Sequence, residues 1–240
     1  MDSAVYDRMN DLESRHWWFV ARRKIIATLI GHTLDKHPVR ILEAGCGSGG
    51  NLQMLRAFGE VDAFEYHEPA REAAARKTGM TIPFGALPHA LPFDGTYDLI
   101  GLFDVLEHIE DDIGSLVALG QRLAPGGKIL VTVPALPSLW SGHDVRHHHF
   151  RRYTSASLAE AARQAGLKVR YSSYFNFFLF PLAVAARAVK RLSGSDVPDD
   201  RMPAEWLNGL LARIFGVERH LMGRVRLPIG LSLAVVLEKA

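Results

Sequence analysis

Residues 40–55 read RILEAGCGSGGNLQML, and this stretch decides the architecture. Ile41 and Leu42 open it as an apolar segment, Glu43 follows, and the chain then breaks into a glycine-rich turn. Beyond Asn51 the apolar residues Leu52, Met54 and Leu55 return at helical spacing. Strand, tight loop and helix in that order open an α/β nucleotide-binding unit. Gly45, Gly47, Gly49 and Gly50 lack Cβ atoms and tolerate positive φ, so a ligand can lie directly against the main chain. Amides at the start of the helix then face a polar or anionic group.

Two cofactor classes fit this loop. Gly45, Gly47 and Gly50 spell GxGxxG, with Glu65 twenty positions beyond Gly45, as in a dinucleotide fingerprint. Glu43, Gly45, Gly47 and Gly49 also spell ExGxGxG, which resembles the first motif of class I S-adenosylmethionine-dependent methyltransferases. The loop alone leaves both open.

The 240 residues suit one enzyme-sized domain, with or without an insertion. A hydrophobic share of 48% supplies a core, and a formal charge of +2 gives no reason to expect a nucleic-acid partner. The single cysteine, Cys46, has no internal partner, and the first residues lack a basic-then-apolar leader. A cytoplasmic protein is the expectation.

Apolar spacing predicts a helix over 5–30 that includes Met9, Leu12, His16, Phe19, Ile25 and Leu29. Its cluster His16-Trp17-Trp18-Phe19, followed by Arg22-Arg23-Lys24, suits an aromatic anchor or a lid over a pocket. Strands are expected at 61–65, 81–84, 97–103, 128–133 and 167–174, with a last one at 228–238. Helices are expected at 69–77, 111–123 and 155–165, the last capped by Thr154 and stopped at Gly166. This alternation predicts an α/β fold, a doubly wound, seven-stranded Rossmann-like parallel sheet. The divisions are a helical lid at 1–36, a cofactor-binding core at 37–174, a helical insertion at 175–227 and a final core strand at 228–240.

Further segments extend the resemblance to class I methyltransferases over about residues 38–167. They are LPFDGTYDLI, then DVLEHI at 104–109, then LAPGGKILVTVP at 123–134. The resemblance implies S-adenosyl-L-methionine as cofactor, Glu65 on the ribose hydroxyls and Asp104 on the methionine ammonium. It also implies a contact surface of Glu43, Ala44, Gly45, Cys46, Gly47, Gly49, Asn51, Tyr66, Ala86, Leu87, Phe103 and His108. Where many members carry an aspartate for the adenine amine, this chain has Gly85, Ala86 and Leu87, so main-chain and apolar contacts are expected there. The opening HWWFxARR and HFRRYT near 150 resemble a bacterial subgroup of such enzymes.

The loop 134–153 follows a strand end on the ligand side of the sheet and holds His143, Asp144, His147, His148 and His149. His143 and Asp144 are the expected catalytic pair, accepting the acceptor's proton or orienting it. His143 and His147 have metal-pair spacing only if the loop is helical. With few carboxylates around them, no metal is expected. The insertion places Trp206, Leu207, Leu210, Leu211, Ile214, Val217 and Leu221 on one helical face, and a basic end at Arg187, Lys190 and Arg191 beside an apolar run. Core or dimer interface, a cap over a lipid-like acceptor, and peripheral membrane contact all fit it. The expected function is methyl transfer to a small-molecule or lipid-like acceptor. A cofactor-binding regulatory or assembly protein and a nicotinamide-dependent oxidoreductase are the alternatives.

Overall fold

A computed structural model describes residues 12–34, 39–193 and 202–240, without the side chains of 190–193. The start of the expected first helix, with Met9, and the side chains of Lys190 and Arg191 lie outside the described residues.

Helix α1, Trp17–Thr33, precedes β1, Val39–Ala44, the short helix α2, Leu52–Arg56, and β2, Gly59–Phe64. Helix α3, Glu68–Thr78, leads through an irregular segment to β3, Tyr97–Phe103. Then come α4, Asp112–Gln121, β4, Leu123–Pro134, and the short α5, Gly142–Arg146. Helix α6, Ser155–Gln164, is capped by Thr154, whose hydroxyl accepts from Ser157 N–H. Strand β5, Leu167–Phe175, is followed by α7, Phe180–Ser193, α8, Glu205–Val217, and β6, Ser232–Lys239.

The strands form one six-stranded sheet in the order β2-β1-β3-β4-β6-β5. The expected strand at 81–84 reduces to a single bridge, Glu65 with Phe84. Pro83 has no N–H to continue a ladder, and only its carbonyl takes part, accepting from Glu65 N–H. The sheet is also mixed where a parallel one was expected, because β6 runs antiparallel to both β4 and β5. The chain between β5 and β6 returns the last strand beside its predecessor, so no parallel crossover is made.

The two faces of the sheet carry separate cores. One packs α4 and α6 through Leu116, Leu119, Leu158 and Ala162. The other gathers Ile25, Ile26, Leu29 and Ile30 of α1 with Phe175, Phe215 and Met222. The insertion therefore shares a core with the first helix. Trp17 meets Phe215 edge-on at 5.8 Å, and its backbone N–H donates to Asn208 Oδ1 at 2.8 Å. Entry and exit of the insertion are tied by Glu218, fully buried, which accepts from the amides of Asn176, Phe177 and Phe178. The single apolar face expected of α8 is corrected. Leu211, Ile214 and Phe215 pack inward, whereas Trp206 is 72% exposed, and Leu210 and Val217 also face out. Both faces of this helix are apolar, so periodicity did not choose between them. Among the described residues, no helix is long and apolar enough to cross a membrane.

Candidate active site

Strand β1 ends at the glycine loop, where Gly45, Gly47 and Gly49 take φ of 76°, 54° and 81°. A Cβ at Gly45 would lie 2.8 Å from Val105, so only glycine fits between the two turns that follow β1 and β3. Across the loop, Glu65 Oε2 accepts from Gly47 N–H and its Oε1 from His67 N–H, both at 2.8 Å. Each carboxylate oxygen keeps acceptor capacity for a further donor.

These groups open onto a cavity of about 530 Å³. Of the residues singled out in the sequence, Gly45, Cys46, Gly47, Asn51, Glu65, Tyr66, Ala86, Leu87, Phe103, Asp104 and His108 line it. Glu43, Ala44 and Gly49 do not. Ala44 is fully buried, and Gly49 packs close to Ala74 of α3. Glu43 lies beneath the loop, where one carboxylate oxygen accepts from Asn51 Nδ2 at 2.8 Å. Burial keeps the Cys46 thiol protonated by raising its pKa, so it is an inert filler.

The opposite wall comes from α1. Trp18, Phe19, Arg22 and Arg23 border the cavity, as does Glu13 just before the helix. Glu13 reaches over the loop, accepting from Ser48 Oγ at 2.8 Å and pairing with Lys77 at 2.7 Å. Arg22 forms an ion pair with Asp104 and lies over Trp18, 5.0 Å from the ring centre. Asp104 is thus partnered by a guanidinium of the first helix. Its backbone has φ 56°, an unusual conformation for a residue with a side chain.

His143 and Asp144, the expected catalytic pair, do not border the cavity. Asp144 is fully buried and accepts from Arg152 Nε at 2.7 Å, Ser141 N–H at 2.9 Å and His149 at 2.9 Å. Those donors hold its carboxyl well below the usual range despite burial. A carboxylate so committed is a structural anchor. His143 stacks on His147 with ring centres 4.0 Å apart, and burial depresses its pKa to about 3. The histidine that does face the cavity, His108, meets His149 edge-on at 4.6 Å.

Comparison with known proteins settles the family. The model of a methyltransferase-domain family matches residues 15–172. The chain belongs to this family.

Membership of this family takes the second of the two loop readings, S-adenosylmethionine, and the dinucleotide alternative falls. A probable S-adenosylmethionine-dependent methyltransferase of Mycolicibacterium smegmatis is 28% identical over 162 residues, 66% of this chain and 62% of that protein. A ubiquinone biosynthesis O-methyltransferase of Roseobacter denitrificans is 33% identical over 95 residues, 37% of this chain and 38% of its own length. The chain thus spans less than two thirds of the length of either relative. The structure of the CcbJ methyltransferase from Streptomyces caelestis superposes with a TM-score of 0.62 at 13% identity, covering 91% of this chain and 89% of that one. The O-methyltransferase NcsB1 of neocarzinostatin biosynthesis, bound to S-adenosylmethionine and a naphthoic acid, gives 0.58 at 18% identity, covering 99% and 57%.

Sequence reasoning passed over Glu13, Glu110 and Phe150, each far from the glycine loop in sequence. It took the 16–24 cluster as an anchor or a lid, and the structure gives it both positions. Trp17 docks on the insertion while Trp18, Phe19 and Arg22 face the cavity. Glu43 supplies a measurable signature. Burial raises its pKa from 4.5 to about 8, so the folded protein holds a proton that the unfolded chain releases. The associated stability is present below pH 4.5 and is lost as pH rises towards 8. Glu43→Gln keeps the acceptor for Asn51 and is expected to flatten the pH dependence of thermal unfolding in that window. An unchanged profile would show that Glu43 ionises normally.

Proposed function

We propose that the protein transfers the methyl group of S-adenosylmethionine to a hydroxyl oxygen of a small, largely apolar acceptor. The observation that carries this is the asymmetry of the cavity. One side is bare main chain with an acidic rim, Gly45, Gly47 and Glu65, and the other is Trp18, Phe19, Phe103, Ile109 and Phe150. The names of two relatives support an oxygen acceptor, since both are O-methyltransferases.

The residues present fit the cofactor. Glu65 has acceptor capacity for the ribose hydroxyls. Phe64, Tyr66, Ala86 and Leu87 offer an apolar, main-chain-lined bed for adenine. Buried Arg22 Nε has no hydrogen-bond partner in the structure and belongs to a side chain on the cavity wall, so it suits the methionine carboxylate. Asp104, held by Arg22, lies where the ammonium would complete the charge pattern. Bound S-adenosylmethionine supplies an electrophilic methyl group on a sulfonium. The chain's part is to hold the acceptor in line and to exclude water, which the aromatic side chains of α1 and Phe150 can do. The outward apolar residues Leu182, Val189, Trp206 and Leu210 of the insertion support contact with an apolar surface, a bilayer face or a second copy.

Incubation with methyl-labelled S-adenosylmethionine and a panel of phenols, alcohols and amines tests the reading. A labelled methyl ether is the expected product. Label passing to amines alone, or to nothing while the donor binds, would overturn it.

A further inference from the structure

Beyond the glycine loop, the described residues bring together a second set of chemically active groups. Ligand-type atoms of Glu107, His108 and His149 all lie within 4.8 Å of one another. Glu107 is 1% exposed, and its Oε2 has no hydrogen-bond partner. A buried carboxylate oxygen left unsatisfied calls for a missing partner, because desolvation without one is costly. The guanidiniums nearby are paired elsewhere, Arg22 with Asp104 and Arg152 with Asp144, and neither hydrogen-bonds this oxygen.

The two imidazoles are prepared in the way metal-bound histidines are. His149 Nδ1 faces Asp144 at 2.9 Å, and a carboxylate can only accept, so Nδ1 carries the proton and Nε2 presents a lone pair. His108 hydrogen-bonds the backbone of His147, which leaves its other ring nitrogen available. Outer partners of this kind fix tautomer and ring orientation at metal sites. Asp144 is in turn fixed by Arg152 and Ser141, so the whole second layer is rigid. The backbone also holds the two segments in register, with Phe150 N–H donating to Glu107 O at 2.8 Å. His148, which precedes one ligand, has φ 55°, and Asp104, just before the other segment, has φ 56°. Such conformations persist where a site requires them.

We propose that Glu107, His108 and His149 form a binding site for one divalent first-row transition cation at the acceptor side of the cavity. Two imidazoles and one carboxylate suit Mn²⁺, Co²⁺ or Zn²⁺ and leave coordination positions open. His108 borders the cavity, so an open position there is available to an oxygen of the acceptor. That last role rests on the proposed function; binding of the cation does not.

The test is titration of the chelator-treated full chain with Co²⁺, followed by ligand-field absorption, and metal analysis after dialysis against Mn²⁺ or Zn²⁺. One ion per chain is expected. Glu107→Gln and His149→Gln should each weaken binding by roughly 100-fold or more, at the upper end of what even outer-layer changes cost. His89→Ala, at an exposed histidine elsewhere, should leave it unchanged. Absence of stoichiometric binding by the unaltered protein at roughly 1 mM Co²⁺, Mn²⁺ and Zn²⁺ overturns the proposal whether or not the variants fold. So does binding that both variants retain in full. Calorimetry with S-adenosylmethionine and the labelled acceptor assay, run on the same samples, separate the two claims. Stoichiometric metal without methyl ether sinks the acceptor reading alone, and methyl ether formed by a protein that binds no metal sinks the site alone.

Discussion

Asp144→Ala is expected to lower the unfolding free energy by about 3–5 kcal/mol, the cost of stranding a buried ionic partner. Arg152 is 3% exposed at its side chain, and without Asp144 it keeps only the Ala135 carbonyl, 3.0 Å from Nη1. The same change frees His149 and removes the carboxylate that closes the capping box of α5. Urea denaturation of the variant beside wild type measures the loss. Glu160→Ala, which breaks the exposed pair with Arg163, is the natural contrast and should leave the urea midpoint close to that of wild type. An Asp144 variant within about 1 kcal/mol of wild type would mean that the ion pair contributes little net stability. The pH course has a definite sign. The folded carboxyl lies below its ordinary value of 3.8, so the contribution is present above that pH and disappears as pH falls below it.

Glu65→Ala should weaken S-adenosylmethionine binding by roughly 100-fold. Each charge-assisted hydrogen bond to this carboxylate is worth about 1.5–3 kcal/mol, and about 1.4 kcal/mol is tenfold in affinity. Two contributions are lost together. On the proposed site the ribose would lose its acceptor, and Gly47 and His67 lose the oxygens that hold their amides at 2.8 Å. Glu65→Gln retains one acceptor oxygen and should fall between the two. Calorimetric titration reads the effect, with circular dichroism confirming that the sheet is intact. A change smaller than about threefold would remove Glu65 from the donor half of the site.

Much of the frame was legible in the residues. The run 97–103 became β3 as expected, because an uninterrupted apolar segment between turn signals suits a strand buried on both faces. The glycine loop and the Glu65 position followed from local spacing, which a strand–turn–helix unit converts directly into geometry. What was not legible depends on distance along the chain. His143 and His147 attracted attention because they stand four apart, yet the cluster that forms draws Glu107 and His108 from the end of β3 and His149 from 41 residues later. Asp144 looked like a base because it lay among histidines. Only the fold shows that Arg152, eight residues on, takes its carboxylate. The direction of β6 was equally hidden, since a buried apolar run reads the same whichever way it points.

The two walls of the cavity have different origins in the chain. The wall with the glycine loop is built from short segments between the end of β1 and the end of β3, whereas Trp18, Phe19 and Arg22 stand on a helix whose other side is clasped by α8 of the insertion. Replacement or resizing of that inserted helix would therefore shift α1 and reshape the wall made by Trp18, Phe19 and Arg22, while the glycine loop and Glu65 stayed as they are. On the proposed function, a lineage of such proteins would change its acceptor by editing a segment that does not border the cavity.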